Sequence, residues 1–255
     1  MSVLLSVQNI SKKFGGIIAL RDITMEVEEH QILAIIGPNG SGKTTLLNVI
    51  TGVYIPEEGT ISLLGKEIQG KSAANVCIAG ISRTFQNVRV FKSRTVLDNV
   101  LIGSTHLYKN GLLSVVFNTT KYRKEDKEHK QKAMDLLKFV GLEGRENIRA
   151  ENLPYAQQRF LEIARALATQ PKILLLDEPA AGMNAHEIDR LSELIIKIRD
   201  IGMTIIMIEH IMDLVRDVAD TIYVMSNGEK IAQGNYKEIE KNPFVIEAYL
   251  GKGAH

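Results

Sequence analysis

Apolar runs occur three times along the chain: Ile32-Leu33-Ala34-Ile35-Ile36, Lys172-Ile173-Leu174-Leu175-Leu176-Asp177 and Met203-Thr204-Ile205-Ile206-Met207-Ile208. Short runs of this kind predict strands buried on both faces. Residues 192–198, between the second and third runs, have helical spacing, and strand–helix–strand predicts a parallel sheet covered on both sides. Elsewhere the pattern alternates. Residues 4–10, 24–27 and 59–65 read as antiparallel strands flanking the first run. Residues 221–225 and 229–232 are joined by Ser226-Asn227-Gly228, and an Asn-Gly pair supplies the positive-φ positions of a hairpin turn.

From residue 87 to about 170 the spacing is mostly helical. Ala133, Leu136, Leu137 and Val140 share one helix face, and Lys127, Glu128, Lys130 and Lys132 share the other. Charges alternate in sign from 121 to 132, which predicts a solvated face. The expected domains are therefore residues 1–86 with 169–255 as an α/β core, and 87–168 as a helical subdomain.

Composition narrows the function classes. A chain of 255 residues can bury a substantial core. Its 31 basic and 30 acidic residues leave a formal net charge of +1, so no nucleic-acid partner is expected. The single cysteine, Cys77, excludes an intrachain disulfide, suits a reducing cytosol and is expected to be a buried apolar residue. No signal peptide is read at the N-terminus, and no apolar run approaches the roughly 20 residues needed to span a bilayer.

The first candidate site follows the first apolar run. Gly37-Pro38-Asn39-Gly40-Ser41-Gly42-Lys43-Thr44 fits G-x-x-x-x-G-K-[ST] between a predicted strand and a predicted helix beginning near Thr45. Such a turn curls backbone N–H groups around an anion at a helix N-terminus. Lys43 is placed to reach phosphate oxygens and the Thr44 hydroxyl to ligate Mg²⁺. The fold class that follows is α/β: a P-loop NTPase core with a mixed, largely parallel sheet, an antiparallel β subdomain and an inserted α-helical subdomain.

Asp177 and Glu178 end the second run. The first is placed to hold Mg²⁺ and the second to position and polarise an attacking water. Gln86 and His210 are residue types that could touch the phosphate, the metal or that water through one polar group. Phe14 could stack on a base. Leu153-Pro154-Tyr155-Ala156-Gln157 directly precedes a strongly helical segment, for which Asn152 is the expected N-cap.

With these residues in this order, the chain resembles the ATP-binding subunit of ABC transporters over about residues 3–250. The resemblance makes 37–44 the Walker A loop, with Thr45 beside it in the nucleotide-binding set. It makes 173–177 the Walker B strand, Glu178 the catalytic glutamate and Phe14 the aromatic that stacks on adenine. Gln86 becomes the Q-loop glutamine and a metal ligand, 153–157 the signature, 181–184 the D-loop and His210 the switch histidine. It implies ATP and Mg²⁺ as cofactors, a second ATPase subunit (a second copy or a paralogue) and integral membrane permeases. A solute-binding protein is an indirect partner, and the location is peripheral, at the cytoplasmic face of the membrane. Permease contact is expected near Gln86, including Val88, Val90 and Phe91.

Phe14-Gly15-Gly16, Arg83-Thr84-Phe85-Gln86, residues 177–182, the insert at 103–122 and the ending at 242–251 look most like the ATPases of branched-chain amino acid importers. The general family signature is Leu-Ser-Gly-Gly-Gln. Here Pro154 removes a hydroxyl that would donate to phosphate, a bond worth about 1.5–3 kcal/mol, and Ala156 lacks glycine's freedom at positive φ. The N–H groups of Tyr155, Ala156 and Gln157 remain available to an anion. Reduced but working ATP sandwiching is expected. The alternatives are a nucleotide-sensing regulatory subunit with weak or no turnover, a P-loop kinase, for which 153–157 and His210 have no role, and a soluble ABC-type ATPase acting on ribosomes or DNA.

Overall fold

The computed structural model describes residues 2–108 and 119–250, so much of the insert expected at 103–122 and the end of the 242–251 match lie outside the described residues. The chain divides into two compact units, residues 1–83 with 172–255, and residues 84–171.

The first unit contains two sheets. Strands β3 (Ile32–Ile36), β6 (Ile81–Arg83), β7 (Ile173–Asp177), β8 (Thr204–Ile208), β9 (Thr221–Ser226) and β10 (Glu229–Gly234) form a six-stranded sheet in the order β10-β9-β3-β8-β7-β6. All its pairings are parallel except β9–β10. Every residue of β3, β7 and β8 is buried, which is why these strands are apolar except for Asp177 and Thr204 at their ends; each large aliphatic side chain removed from water contributes about 1.5–3 kcal/mol. Asn227 (φ 50°) and Gly228 (φ 80°) make the hairpin turn between β9 and β10.

Strands β1 (Val3–Phe14), β2 (Ile17–Glu28), β4 (Glu58–Leu63) and β5 (Lys66–Glu67) form a separate antiparallel sheet in the order β2-β1-β4-β5. The alternating strands therefore do not flank β3. Both edges of β3 are taken, Leu33 pairing with Ile206 of β8 and Thr221 of β9, and strands with one polar face suit a sheet covered on one side. The buried faces of the two sheets share a core, with Leu5, Val7, Ile10, Ile23 and Met25 clustered with Leu33, Ile35, Ile206 and Ile208. A bulge at Asn9 (φ 51°) shifts the alternation so that Ile10 rejoins the buried face. Cys77 is half-buried rather than buried, its Sγ 3.5 Å from Ser82 Oγ.

Helices α1 (Lys43–Ile50), α2 (Ala73–Ala79), α6 (Ala185–Asp200), α7 (Met212–Val218), α8 (Tyr236–Glu240) and α9 (Pro243–Leu250) also belong to this unit. Helix α6 connects β7 to β8. Asn184 and Glu187 form a capping box at its start, Leu191, Leu194, Ile195 and Ile198 make its buried stripe, and Lys197 and Arg199 lie in its last turn.

The second unit holds α3 (Val96–Gly103), α4 (Thr120–Phe139) and α5 (Tyr155–Leu167). On α4, Ala133 and Leu137 are buried, and His129 stacks on Tyr108 at 4.0 Å between centroids. That burial, and Asp126 accepting from its hydroxyl at 3.4 Å, push the Tyr108 phenol up to about 12.

Candidate active site

The turn from β3 into α1 can form only with glycine at two positions. Gly37 has φ 149°, and a Cβ there would lie 2.1 Å from the Met225 carbonyl oxygen; Gly42 has φ 99°, and its Cβ would lie 2.6 Å from the Ala19 carbonyl oxygen. Gly42 is the N-cap of α1 and has no side chain to cap it, so the first N–H groups of the helix are left to an external acceptor. Lys43 folds back along the loop, its Nζ donating to the carbonyls of Gly37 at 2.8 Å and Pro38 at 3.0 Å. Burial lowers the Lys43 pKa, partly offset by the charges of Glu178 and Asp177. Burial raises the pKa of the Tyr249 phenol of α9, and the backbone of Gly37 partly offsets that rise.

In front of the loop lies a cavity of about 460 Å³, within the range of small-molecule sites. Asn39, Gly40, Ser41, Gly42, Lys43, Thr44 and Thr45 line it together with Glu178 and His210, as does a wall that sequence reasoning missed: Ile17, Ile18, Ala19, Asn227 and Gly228. Asn227 and Gly228 were legible only as a hairpin turn. The turn reaches the loop because the Gly228 N–H donates to the Ser41 carbonyl at 3.1 Å. Phe14 is not among the lining residues. Its ring is half-exposed and packs edge-on against Tyr54 at 5.1 Å.

Asp177 ends β7 buried, its Oδ2 accepting from Arg83 Nη2 at 2.6 Å, while Arg83 Nη1 donates to Asn48 Oδ1 at 2.7 Å. Glu178 adopts the left-handed region with φ 47°, an uncommon conformation for a residue with a Cβ. It is held there by its N–H donating to the Ile208 carbonyl at 2.9 Å. Its Oε1 lies 2.7 Å from His210 Nε2, and since a carboxylate only accepts, that nitrogen carries the proton. Asp177, Glu178, His210 and the glycine loop are thus brought together by one unit.

The second unit holds Gln86 and residues 153–157. Gln86 is exposed, and its carbonyl accepts from Arg159 Nη2 at 2.6 Å. Arg159 is fully buried on α5 and pairs with Glu162 at 2.9 Å, so the segment at Gln86 is tied to the helix that follows 153–157. Phe91 is half-exposed with the Arg165 guanidinium 5.4 Å from its ring centre, and Val88 and Val90 are half-buried.

Two expectations about the segment 153–157 are corrected. Asn152 is not the N-cap; it ends a 3₁₀ turn, and Pro154 (φ −52°, ψ 151°) caps α5 without a side-chain bond. The residue before a proline is driven out of the helical region, so α5 cannot start earlier. Ala156 lies within α5 and has no positive φ, so replacing glycine there carries no backbone strain. Tyr155 is half-exposed, and Gln157 Oε1 is buried with no hydrogen-bond partner among the described residues.

A glycine loop wrapped on a helix start, with an acid at the end of a parallel strand of the same sheet and a glutamate–histidine pair across the cavity, defines a nucleotide-binding cassette of the P-loop class. Residues 20–181 match the family described as ABC transporter, and the chain belongs to that family as one of its ATPases. Residues 229–255 match a second family, branched-chain amino acid ATP-binding cassette transporter. The high-affinity branched-chain amino acid transport ATP-binding protein LivG of Salmonella typhimurium is 43% identical over 98% of both chains. Among solved structures, the ADP conformation of MJ1267, an ATP-binding cassette of an ABC transporter, superposes with a TM-score of 0.86 at 36% identity, covering 99% of this chain and all of that one. A dimeric post-hydrolysis structure of the cassette MJ0796 bound to ADP and Pi superposes at 0.75 with 25% identity, over 91% of this chain and 98% of that one. The regulatory alternative finds no support in these relatives.

Proposed function

We propose that this chain hydrolyses ATP·Mg²⁺ to drive import of branched-chain amino acids through separate membrane permeases, working as a pair of ATPase subunits on the cytoplasmic face of the membrane. The observation that carries the hydrolytic part is the 2.7 Å Glu178–His210 pair facing the phosphate-loop cavity. The whole-chain similarity to LivG supports the choice of solute.

In this reading the backbone of residues 37–42 and the Lys43 ammonium bind the phosphates, Thr45 lies beside them, and Phe14 stacks on the adenine. Glu178 accepts a hydrogen bond from water and orients its oxygen toward the γ-phosphorus; a P–O bond to water forms as the bond to the ADP oxygen breaks. His210 donates to Glu178, fixing the carboxylate and the water with it. Thr44 and Asp177, and Gln86 as the third proposed ligand, would each offer an oxygen donor to Mg²⁺, the donor type a hard divalent cation prefers. Mg²⁺, when bound, neutralises phosphate charge. Pro154, Tyr155, Ala156 and Gln157 present helix N–H groups to the nucleotide of the second subunit. Residues 88–91 contribute to the permease contact, and a solute-binding protein delivers the amino acid from the other side of the membrane. Residues 1–83 with 172–255 act as the nucleotide-binding core and 84–171, three residues wider at each end than the sequence suggested, as the helical subdomain that carries the signature.

The test is the apparent size of purified Glu178→Gln with ATP·Mg²⁺ and with ADP, beside the turnover of the unmutated chain. The reading expects a dimer with ATP only, and hydrolysis by the unmutated protein. A monomer at every ATP concentration together with no hydrolysis would overturn it.

A further inference from the structure

We infer that Glu209 is a positioning residue for hydrolysis, its buried carboxylate binding together the two main-chain segments whose side chains, Glu178 and His210, meet over the cavity. The inference rests on the reading that Glu178 directs the attacking water.

Glu209 is 2% exposed. Its Oε1 accepts from the Ala180 N–H at 2.8 Å, and its Oε2 accepts from the N–H groups of His210 at 2.8 Å and Ile211 at 3.2 Å. No ion pair to Glu209 occurs among the described residues, so three backbone amides are what offset its burial there. Burying a carboxylate is costly unless it is well hydrogen-bonded, and an apolar residue would fill the same space at lower cost. The arrangement explains the expense. Glu178 stands in the left-handed region, and an L-residue stays there only when its surroundings hold it. Its tethers are its own N–H on the Ile208 carbonyl and, two residues on, the Ala180 N–H on Glu209. The neighbouring residues 208 and 209 thus anchor the backbone of Glu178, and the same carboxylate fixes the backbone of His210. One side chain sets both ends of a 2.7 Å contact.

Glu209→Gln keeps the shape but offers one acceptor oxygen, so its amide N–H₂ must face either the Ala180 N–H or those of His210 and Ile211. Hydrogen bonds to a charged group carry about a tenfold to hundredfold effect each. The expected result, for the full-length chain, is a kcat for ATP·Mg²⁺ lowered by about that factor per folded molecule, with KM and ADP affinity changed less than about threefold. Nitrogen NMR of His210 should show the Nε2 proton losing its hydrogen bond to Glu178, a signal that loss of fold stability alone does not move. Should Glu209→Gln fail to fold, Glu209→Asp, with the same charge on a shorter stem, is read in the same way. An unchanged kcat, or a raised KM at constant kcat, overturns the inference. Glu178→Gln in parallel separates the two levels: if it still turns over, the reading of Glu178 fails; if it is inactive while Glu209→Gln keeps full kcat, only the role of Glu209 fails.

Discussion

Arg83 Nη2 lies 2.6 Å from Asp177 Oδ2, with 7% and 5% of the two side chains exposed. This ion pair sits where the carboxylate proposed to hold Mg²⁺ leaves β7. Removing one partner of a buried pair strands the other charge and costs about 3–5 kcal/mol. At about 2–4 °C per kcal/mol for a chain of this size, Arg83→Met should lower the thermal midpoint of the nucleotide-free protein by roughly 6–20 °C. Arg83→Lys keeps the charge but loses the fork that also reaches Asn48, so its loss should be smaller. A midpoint unmoved by Arg83→Met would show that Asp177 does not depend on the pair.

The His210–Glu178 contact makes a different prediction, because it bears on the reaction rather than the fold. His210 is partly exposed, with 38% of its side chain accessible, so His210→Ala should leave stability nearly unchanged. Losing a hydrogen bond to a charged group, about 1.5–3 kcal/mol, should lower kcat roughly tenfold to hundredfold at constant KM. Steady-state ATP hydrolysis over a substrate series measures both constants. A rise in KM alone would place His210 in ground-state binding instead.

Lys43 behaves as a buried cation waiting for an anion. Its pKa is lowered chiefly by burial from an ordinary value of 10.5, so the charged form is less favourable folded than unfolded. That penalty is present at neutral pH and is relieved as the pH rises through the folded pKa toward the ordinary value. Lys43→Met removes the penalty along with the bonds to the Gly37 and Pro38 carbonyls. The nucleotide-free midpoint should therefore move by less than about 4 °C, the equivalent of roughly 1 kcal/mol. Stabilisation by ATP, about 2.7 kcal/mol at a hundredfold excess over Kd for a competent site, should disappear. A thermal shift series with and without nucleotide separates the two effects, and a retained ATP shift would mean that the backbone loop alone binds the phosphates.

What was legible in the sequence was local. β3, β7 and β8 could be read from apolar runs because burial on both faces confines polar residues to the strand ends, at Asp177 and Thr204, and the glycine loop because its sterics admit few alternatives. Long-range partners left no such trace. That β1, β2 and β4 form their own sheet depends on β8 and β9 occupying both edges of β3, which no single strand reveals. Ile17 and Ile18 line the cavity although they lie outside the strands read at 4–10 and 24–27. Arg83 and Glu209 reach Asp177 and Ala180 across 94 and 29 positions of sequence. At Asn152 the local reading failed because Pro154 was allowed a place in the helix's first turn, whereas it drives Leu153 out of the helical region and delays the helix until residue 155.

That same proline gives the last prediction. Pro154 caps α5 in an extended conformation with no side-chain bond, the geometry in which a serine hydroxyl accepts from the second or third N–H of the helix. Pro154→Ser should gain about 0.5–2 kcal/mol from that cap and lose about 0.4–1 kcal/mol of the proline's restriction of the unfolded chain. The thermal midpoint should change by no more than a few degrees. The larger consequence is expected between subunits, where the hydroxyl can donate to a phosphate of the second nucleotide. At about 1.5–3 kcal/mol per site, the ATP concentration needed for half-dimerisation of Glu178→Gln should fall roughly tenfold to hundredfold when Pro154→Ser is added. Sizing by light scattering across an ATP titration reads this directly. An unchanged midpoint would mean that the N–H groups of Tyr155, Ala156 and Gln157 already supply the contact and that the hydroxyl is dispensable in this chain.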